Sequence, residues 1–184
     1  MLGEVKIVIL EMKYMQIDRL DNNNLLFWRG QIEELINTSV KISFPNQNIS
    51  DNYCVEKCNK LAYYLAEGTA IVFVAREEEV LLGWVWCHEV IRISAKRLHI
   101  AEIAVRDKYQ RTGVGRQLMN EVEMYAKSKG YKEIDLMVTI TNSRAIGFYE
   151  NALFVPERYL MKKTIFPTVN SIAEGTENDN SILG

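Results

Sequence analysis

The chain has 184 residues, 48% of them hydrophobic, and a formal net charge of −2 at neutral pH. That is enough apolar material for one domain with its own core, without metal or disulfide support. A pI near 5.8 leaves no basic footprint for nucleic acid, and no apolar run is long enough to span a bilayer, so neither partner is expected.

The opening "MLGEVKIVILEM" is interrupted by Glu4 and Lys6 and is followed by no small-residue cleavage site, so no signal peptide is expected. Three sparse cysteines, Cys54, Cys58 and Cys87, agree with a cytoplasmic location. Cys54 and Cys58 stand four apart on an expected helix, but no third ligand is nearby, which favours buried thiols over a metal site.

Residues 11–20 read as a first strand, and Asn22, Asn23 and Asn24 are cap candidates for a helix carrying Leu25, Trp28, Ile32 and Leu35 at helical spacing. "SVKISFPNQN" reads as a polar loop, and Ser50 with Asp51 opens a second helix with Val55, Cys58, Leu61, Ala62 and Leu65 on one face, stopped by Gly68. "AIVFVA" and "VLLGWVWCHEVIRI", separated by the charged "REEE", form a hairpin, and "LHIAEIAV" follows as a further strand. Over residues 113–129 the positions Val114, Leu118, Val122 and Tyr125 mark an amphipathic helix ended by Gly130. "EIDLMVTI" alternates as a strand, "NSRAIGFYENA" makes a short helix, and "LFVPERYLMKK" reads as a last strand. Residues 1–167 are expected to form one domain, and residues 168–184, polar and aperiodic, a loosely ordered tail.

The segment "QRTGVGRQ" joins a strand to a helix and contains no acid. Backbone N–H groups at such a helix start, with the positive end of its dipole, attract an anion, most often phosphate. Gly113 and Gly115 keep side chains away from those amides, while Arg111 and Arg116 add charge from the sides. A P-loop needs Lys and then Ser or Thr after its last glycine, and Arg116 and Gln117 stand there instead. A dinucleotide fingerprint needs a third glycine, which Leu118 and Met119 exclude.

With its strand, helix and the downstream "TNSRAIGFYENALFVPE", this loop resembles the GNAT superfamily of acetyl-CoA-dependent N-acetyltransferases. The cofactor loop of that family corresponds to Gln110, Arg111, Thr112, Gly113, Val114 and Gly115, and its second hallmark to Asn142 and Tyr149. The resemblance covers about residues 11–163. It implies an α/β (α+β) acyl-CoA N-acyltransferase fold: a central mixed, mostly antiparallel twisted sheet, splayed between the strand at 98–105 and the strand at 133–140, and flanked by helices. It also implies that amides of residues 111–116, Arg116 included, hold the coenzyme A pyrophosphate. Amides at Ile103, Ala104 and Val105 would take the pantetheine arm and the acetyl carbonyl. Leu153 stands where many members have Gly, a change expected to affect a turn more than the cofactor site.

Acetyl transfer requires an unprotonated amine, a polarised thioester carbonyl and a proton for the leaving thiolate. The resemblance assigns the proton to Tyr149. For the base, the strand "LHIAEIAV" offers His99 and Glu102, the latter also able to bind a cationic amine. Three apart, they fall on opposite faces of a regular strand, unless a bulge re-aims it. Trp84, Trp86 and His88 share one face of the second hairpin strand, either as core or as an aromatic wall beside the acceptor, and Trp28 with residues 39–47 sits where the family closes over its acceptor. The expected activity is N-acetylation of a primary amine, small or peptidic, by direct attack in a ternary complex of acetyl-CoA, acceptor and protein, without metal. The alternative is a non-catalytic acyl-CoA-binding sensor or interaction domain. Another acyl donor and a homodimer are left open.

Overall fold

The computed structural model describes residues 14–93, 95–163 and 165. In chain order its elements are β1 (Gln16–Leu20), α1 (Leu25–Ser43), α2 (Tyr53–Ala66), β2 (Ala70–Glu77), β3 (Val80–Ile91), β4 (Lys96–Val105), α3 (Val114–Ser128), β5 (Ile134–Leu136) and α4 (Ser143–Asn151). The strands lie side by side in that order, antiparallel except for the parallel β4–β5 pair. Parallel neighbours need a crossover, and α3 supplies it. The mixed, mostly antiparallel sheet flanked by helices is the one expected from the sequence.

Both sheet faces are covered, which is why β2 and β3 read as nearly continuous apolar runs. On one face Trp28, Ile32 and Leu35 of α1 and Cys58 and Leu61 of α2 meet Val72, Val74, Trp84 and Trp86. On the other, Val114, Leu118 and Val122 of α3 meet Ile71, Phe73, Val85 and Leu98. Burying each such Leu, Ile or Val stabilises the fold by about 1.5–3 kcal/mol. These stripes hold the three long helices, none of which has a side-chain N-cap bond.

Several boundaries differ from the sequence reading. The first strand is Gln16–Leu20, and residues 11–13 lie outside the described residues. The polar loop begins only after Ser43, because Val40 is buried one turn beyond Ile36 and carries the apolar stripe of α1 onward. Val55 on α2 is exposed. No strand forms over residues 153–163, which are exposed except for Phe154. Pro156 lacks a ladder donor, and β5, at three residues, is too short to template a sixth strand. The tail at 168–184 lies outside the described residues.

Candidate active site

The β4–β5 ladder ends at the pair Ile100–Leu136, while β4 continues to Val105 with β3 alone beside it. Residues 101–105 therefore present backbone hydrogen-bonding groups to an opening where β5 has turned away. This is the expected splay, with β5 shorter than residues 133–140. Ile103 and Val105 lean toward α3, and Ala104 toward α1 and α2.

A bulge decides what else faces the opening. Trp86 pairs with Glu102 but the next residue, Cys87, pairs with Ile100, leaving Ala101 as the extra residue. An extra residue shifts the alternation by one, so His99 and Glu102 both face the α1/α2 side, opposite His88 and Trp86 respectively. The two candidate bases share a face.

Each is already engaged. Ser39 Oγ donates to Glu102 Oε1 at 2.5 Å, and Lys57 Nζ forms an ion pair with Glu102 Oε2. Burial works against the Lys57 charge, but the Glu102 carboxylate outweighs it and lifts the Lys57 pKa. His99, buried, shares a proton through Nδ1 with Asp135 Oδ1 at 2.6 Å, and Arg92 Nε donates to Asp135 Oδ2 at 2.8 Å. Burial alone pushes the Asp135 carboxyl up; the hydrogen bonds from Arg92 and His99 reverse that and hold it low. His88 packs edge-on against His99, ring centroids 5.1 Å apart, and burial followed by His99 lowers its pKa.

Tyr149 lies on α4 between Phe148 and Phe154, with centroids at 5.4 and 5.8 Å. Its hydroxyl makes no hydrogen bond among the described residues. Burial, with the Glu102 charge as the second cause, raises its pKa to about 12. A carboxylate that perturbs the phenol places Tyr149 within electrostatic reach of Glu102.

At the α3 start, Gly113 has φ of +98°, where any Cβ strains the backbone, although the space around it is open. At Gly115 a Cβ would meet the Phe148 ring at 3.3 Å, so the ring would have to give way slightly. Gln110 and Thr112 shape the loop. The Gln110 amide donates to Val105 O at 2.9 Å and Asp107 Oδ1 at 2.8 Å, and the Thr112 hydroxyl to Tyr109 O at 2.7 Å. Among the described residues, no side chain caps the first amides of α3, including those of Val114, Gly115 and Arg116. Arg111, at a left-handed φ of +65°, and Arg116 are exposed and make no ion pair among the described residues. Arg111 and Arg144 line a groove of about 520 Å³ together with Ile42, Asp107 and Gln110. The groove is thus walled by the end of α1, the loop and the start of α4.

Asn142 is the N-cap of α4, its Oδ1 accepting from Ala145 N at 3.1 Å. Trp84 and Trp86 are 0% and 4% exposed and form core with Trp28, so they offer no open wall to an acceptor. Lys57, Asp135 and Arg144 escape the sequence reading, because they lie far from their partners along the chain. Ser39, expected as the first residue of the segment closing over the acceptor, belongs to α1 and reaches Glu102.

A mostly antiparallel sheet opened beside β4, with an uncapped glycine-bearing helix start at the end of the opened strand, defines the acyl-CoA N-acyltransferase fold class. The model of the Acetyltransferase (GNAT) family matches residues 34–153, and the chain belongs to that family. Among curated proteins, it is 31% identical over 102 residues to N-alpha-acetyltransferase 30 of Homo sapiens, covering 54% of this chain and 28% of that protein. Over 103 residues it is 26% identical to N-acetyltransferase 8 of Homo sapiens, covering 55% of this chain and 45% of the relative. The match thus spans less than half of either relative. Among solved structures, the aminoglycoside acetyltransferase meta-AAC0020 from an uncultured soil metagenomic sample superposes with a TM-score of 0.64 at 20% identity, over 84% of this chain and 97% of that one. Aminoglycoside N-acetyltransferase AAC(6')-Iy, solved with CoA, gives 0.62 at 19%, over 83% and 96%. At those identities the likeness is one of fold.

Proposed function

We propose that the chain transfers the acetyl group of acetyl-CoA to a primary amine by direct attack in a ternary complex. The observation that carries this reading is the opening along residues 101–105, which contains Glu102 and leads on to the uncapped start of α3.

In this reading the α3 amides, Gly113 and the Arg111 and Arg116 guanidiniums hold the pyrophosphate of the co-substrate, a helix start being a ready anion site. The amides of Ile103 to Val105 polarise the thioester carbonyl; a fixed N–H donor of this kind contributes about 3 kcal/mol in other acyl-transfer enzymes. Glu102 binds the acceptor ammonium and takes its proton, or passes it to water. His99, its Nδ1 held by Asp135, serves as the second proton acceptor on the same face. The Tyr149 hydroxyl, otherwise unbonded, donates to the departing sulfur. Gln110 and Asn142 act by shaping the loop and capping α4.

No helix among the described residues is long and apolar enough to cross a membrane. A cytoplasmic location, with neither nucleic acid nor membrane as partner, is part of the same proposal. The occupied carboxylate of Glu102 favours a second reading, in which the chain binds acyl-CoA without turning over added amines. Thiol release from acetyl-CoA against polyamines, aminoglycosides, arylalkylamines, amino acids and short peptides separates the two. Turnover with one class is the expected result; binding of acetyl-CoA by calorimetry without any turnover supports the second reading, and no binding refutes both.

A further inference from the structure

Lys57 brings an amine of the chain itself to the carboxylate assigned above to the acceptor. Its side chain is 21% exposed and that of Glu102 12%, so the ion pair between them is largely withdrawn from water. Ser39 Oγ occupies the other carboxylate oxygen, and the Tyr53 ring lies 5.8 Å from the ammonium. Lys57 flanks the inward stripe of α2 formed by Cys54, Cys58, Leu61 and Leu65, half-buried beside Tyr53. Buried ion pairs are commonly no more stabilising than apolar residues of similar volume. The ion pair alone therefore adds little stability that an apolar residue would not supply.

An amine and a carboxylate in contact with it lie beside the splayed strand, and the half-buried Tyr149 phenol feels the charge of that carboxylate. These are the three side-chain groups that amine acetylation uses. We propose that Lys57 is an intramolecular acetylation site, modified by the acetyl-CoA bound to the same chain. This rests on the reading of residues 101–105 as the acetyl site.

The step balances without further reactants. One proton leaves the Lys57 ammonium for Glu102 and then solvent. The freed lone pair on Nζ attacks the thioester carbonyl, the N–C bond forms, and the C–S bond breaks with its electron pair remaining on sulfur. The nitrogen, still carrying two hydrogens after the attack, gives a second proton to solvent as the amide forms, and the thiolate, hydrogen-bonded by Tyr149, takes one proton from solvent. Lysine ammonium and acetyl-CoA become acetyl-lysine, the free thiol of coenzyme A and one released proton. Acetylation removes the charge of Lys57, so the product no longer pairs with Glu102, and the carboxylate is released to bind an amine from outside.

The test is to incubate the purified full chain with acetyl-CoA and no other amine, then follow each lysine by peptide mass spectrometry at several protein concentrations. Calorimetric titration of acetyl-CoA is run on the same preparation. Lys57 should acquire one acetyl group about ten-fold or more faster than any other lysine, at a rate independent of protein concentration. Tyr149→Phe and Glu102→Gln should each slow it about ten-fold or more, while circular dichroism verifies that both variants remain folded. If acetyl-CoA binds but Lys57 stays unmodified, reacts no faster than exposed lysines, or reacts at a rate that rises with protein concentration, the inference is overturned and the proposed function stands. Absence of acetyl-CoA binding overturns both.

Discussion

Replacing Tyr149 with Phe removes one oxygen from a ring already seated between Phe148 and Phe154. The hydroxyl has no hydrogen-bond partner among the described residues, so the variant strands no buried group and should keep its stability. The kinetic effect follows from the pKa. A phenol at about 12 facing a thiol of pKa about 8.5 makes complete proton transfer uphill by roughly 5 kcal/mol. Tyr149 should therefore act mainly by hydrogen-bonding the charge that develops on sulfur. Hydrogen bonds to charged groups contribute about 1.5–3 kcal/mol, so kcat should fall about ten- to a hundred-fold, with acetyl-CoA affinity unchanged. Because the phenol stays protonated well above neutral pH, the wild-type rate should show no basic limb belonging to Tyr149 below about pH 10. Steady-state thiol release as a function of pH, for wild type and variant, measures both quantities. An unchanged kcat, or a basic limb near pH 9 that vanishes in Tyr149→Phe, would refute this account.

Leu153 occupies φ of +65° and is 88% exposed, so Leu153→Gly relieves a left-handed backbone penalty of about 1–2 kcal/mol while losing little burial. After the entropy that Gly adds to the unfolded chain, a net gain of about 0.5–1 kcal/mol should appear in urea denaturation, and a loss would contradict the assignment. Acid should destabilise the fold in two windows. The folded pKa of His88 is depressed, so its contribution is full above the unfolded value of about 6.5 and is lost as pH falls through the folded one. The folded pKa of Asp135 is depressed too, and its contribution disappears only below about pH 4. Denaturation midpoints of His88→Gln should lack the first decline while keeping the second; curves parallel to wild type would assign the decline to another group.

The loop was the most legible feature of the chain, because its chemistry is local. Backbone conformation at Gly113, the free amides of α3 and the stop at Gly130 depend on residues a few positions apart, and all follow from glycine spacing and helical periodicity. The order β2–β3–β4 was legible for a related reason, since consecutive β-rich runs joined by short turns pair with their neighbours, whereas the edge positions of β1 and β5 follow helical connections. Even the unusual Leu153 is a local matter, a side chain placed where the turn after α4 demands a left-handed residue.

Which partner meets which candidate base was decided only in three dimensions. A single extra residue at Ala101 puts His99 and Glu102 on one face, and nothing in a pattern of alternating residues marks where a strand will bulge. Lys57 and Ser39 reach Glu102 from 45 and 63 positions away, and Asp135 reaches His99 from 36. Gly115 looked like room for a phosphate and is also the seat of the Phe148 ring. Local rules act through bonded neighbours, whereas these contacts depend on how two helices and the parallel crossover settle on opposite faces of the sheet. The fold and its glycine loop were therefore open to reading along the chain, while the partners of the candidate bases belong to the packed structure.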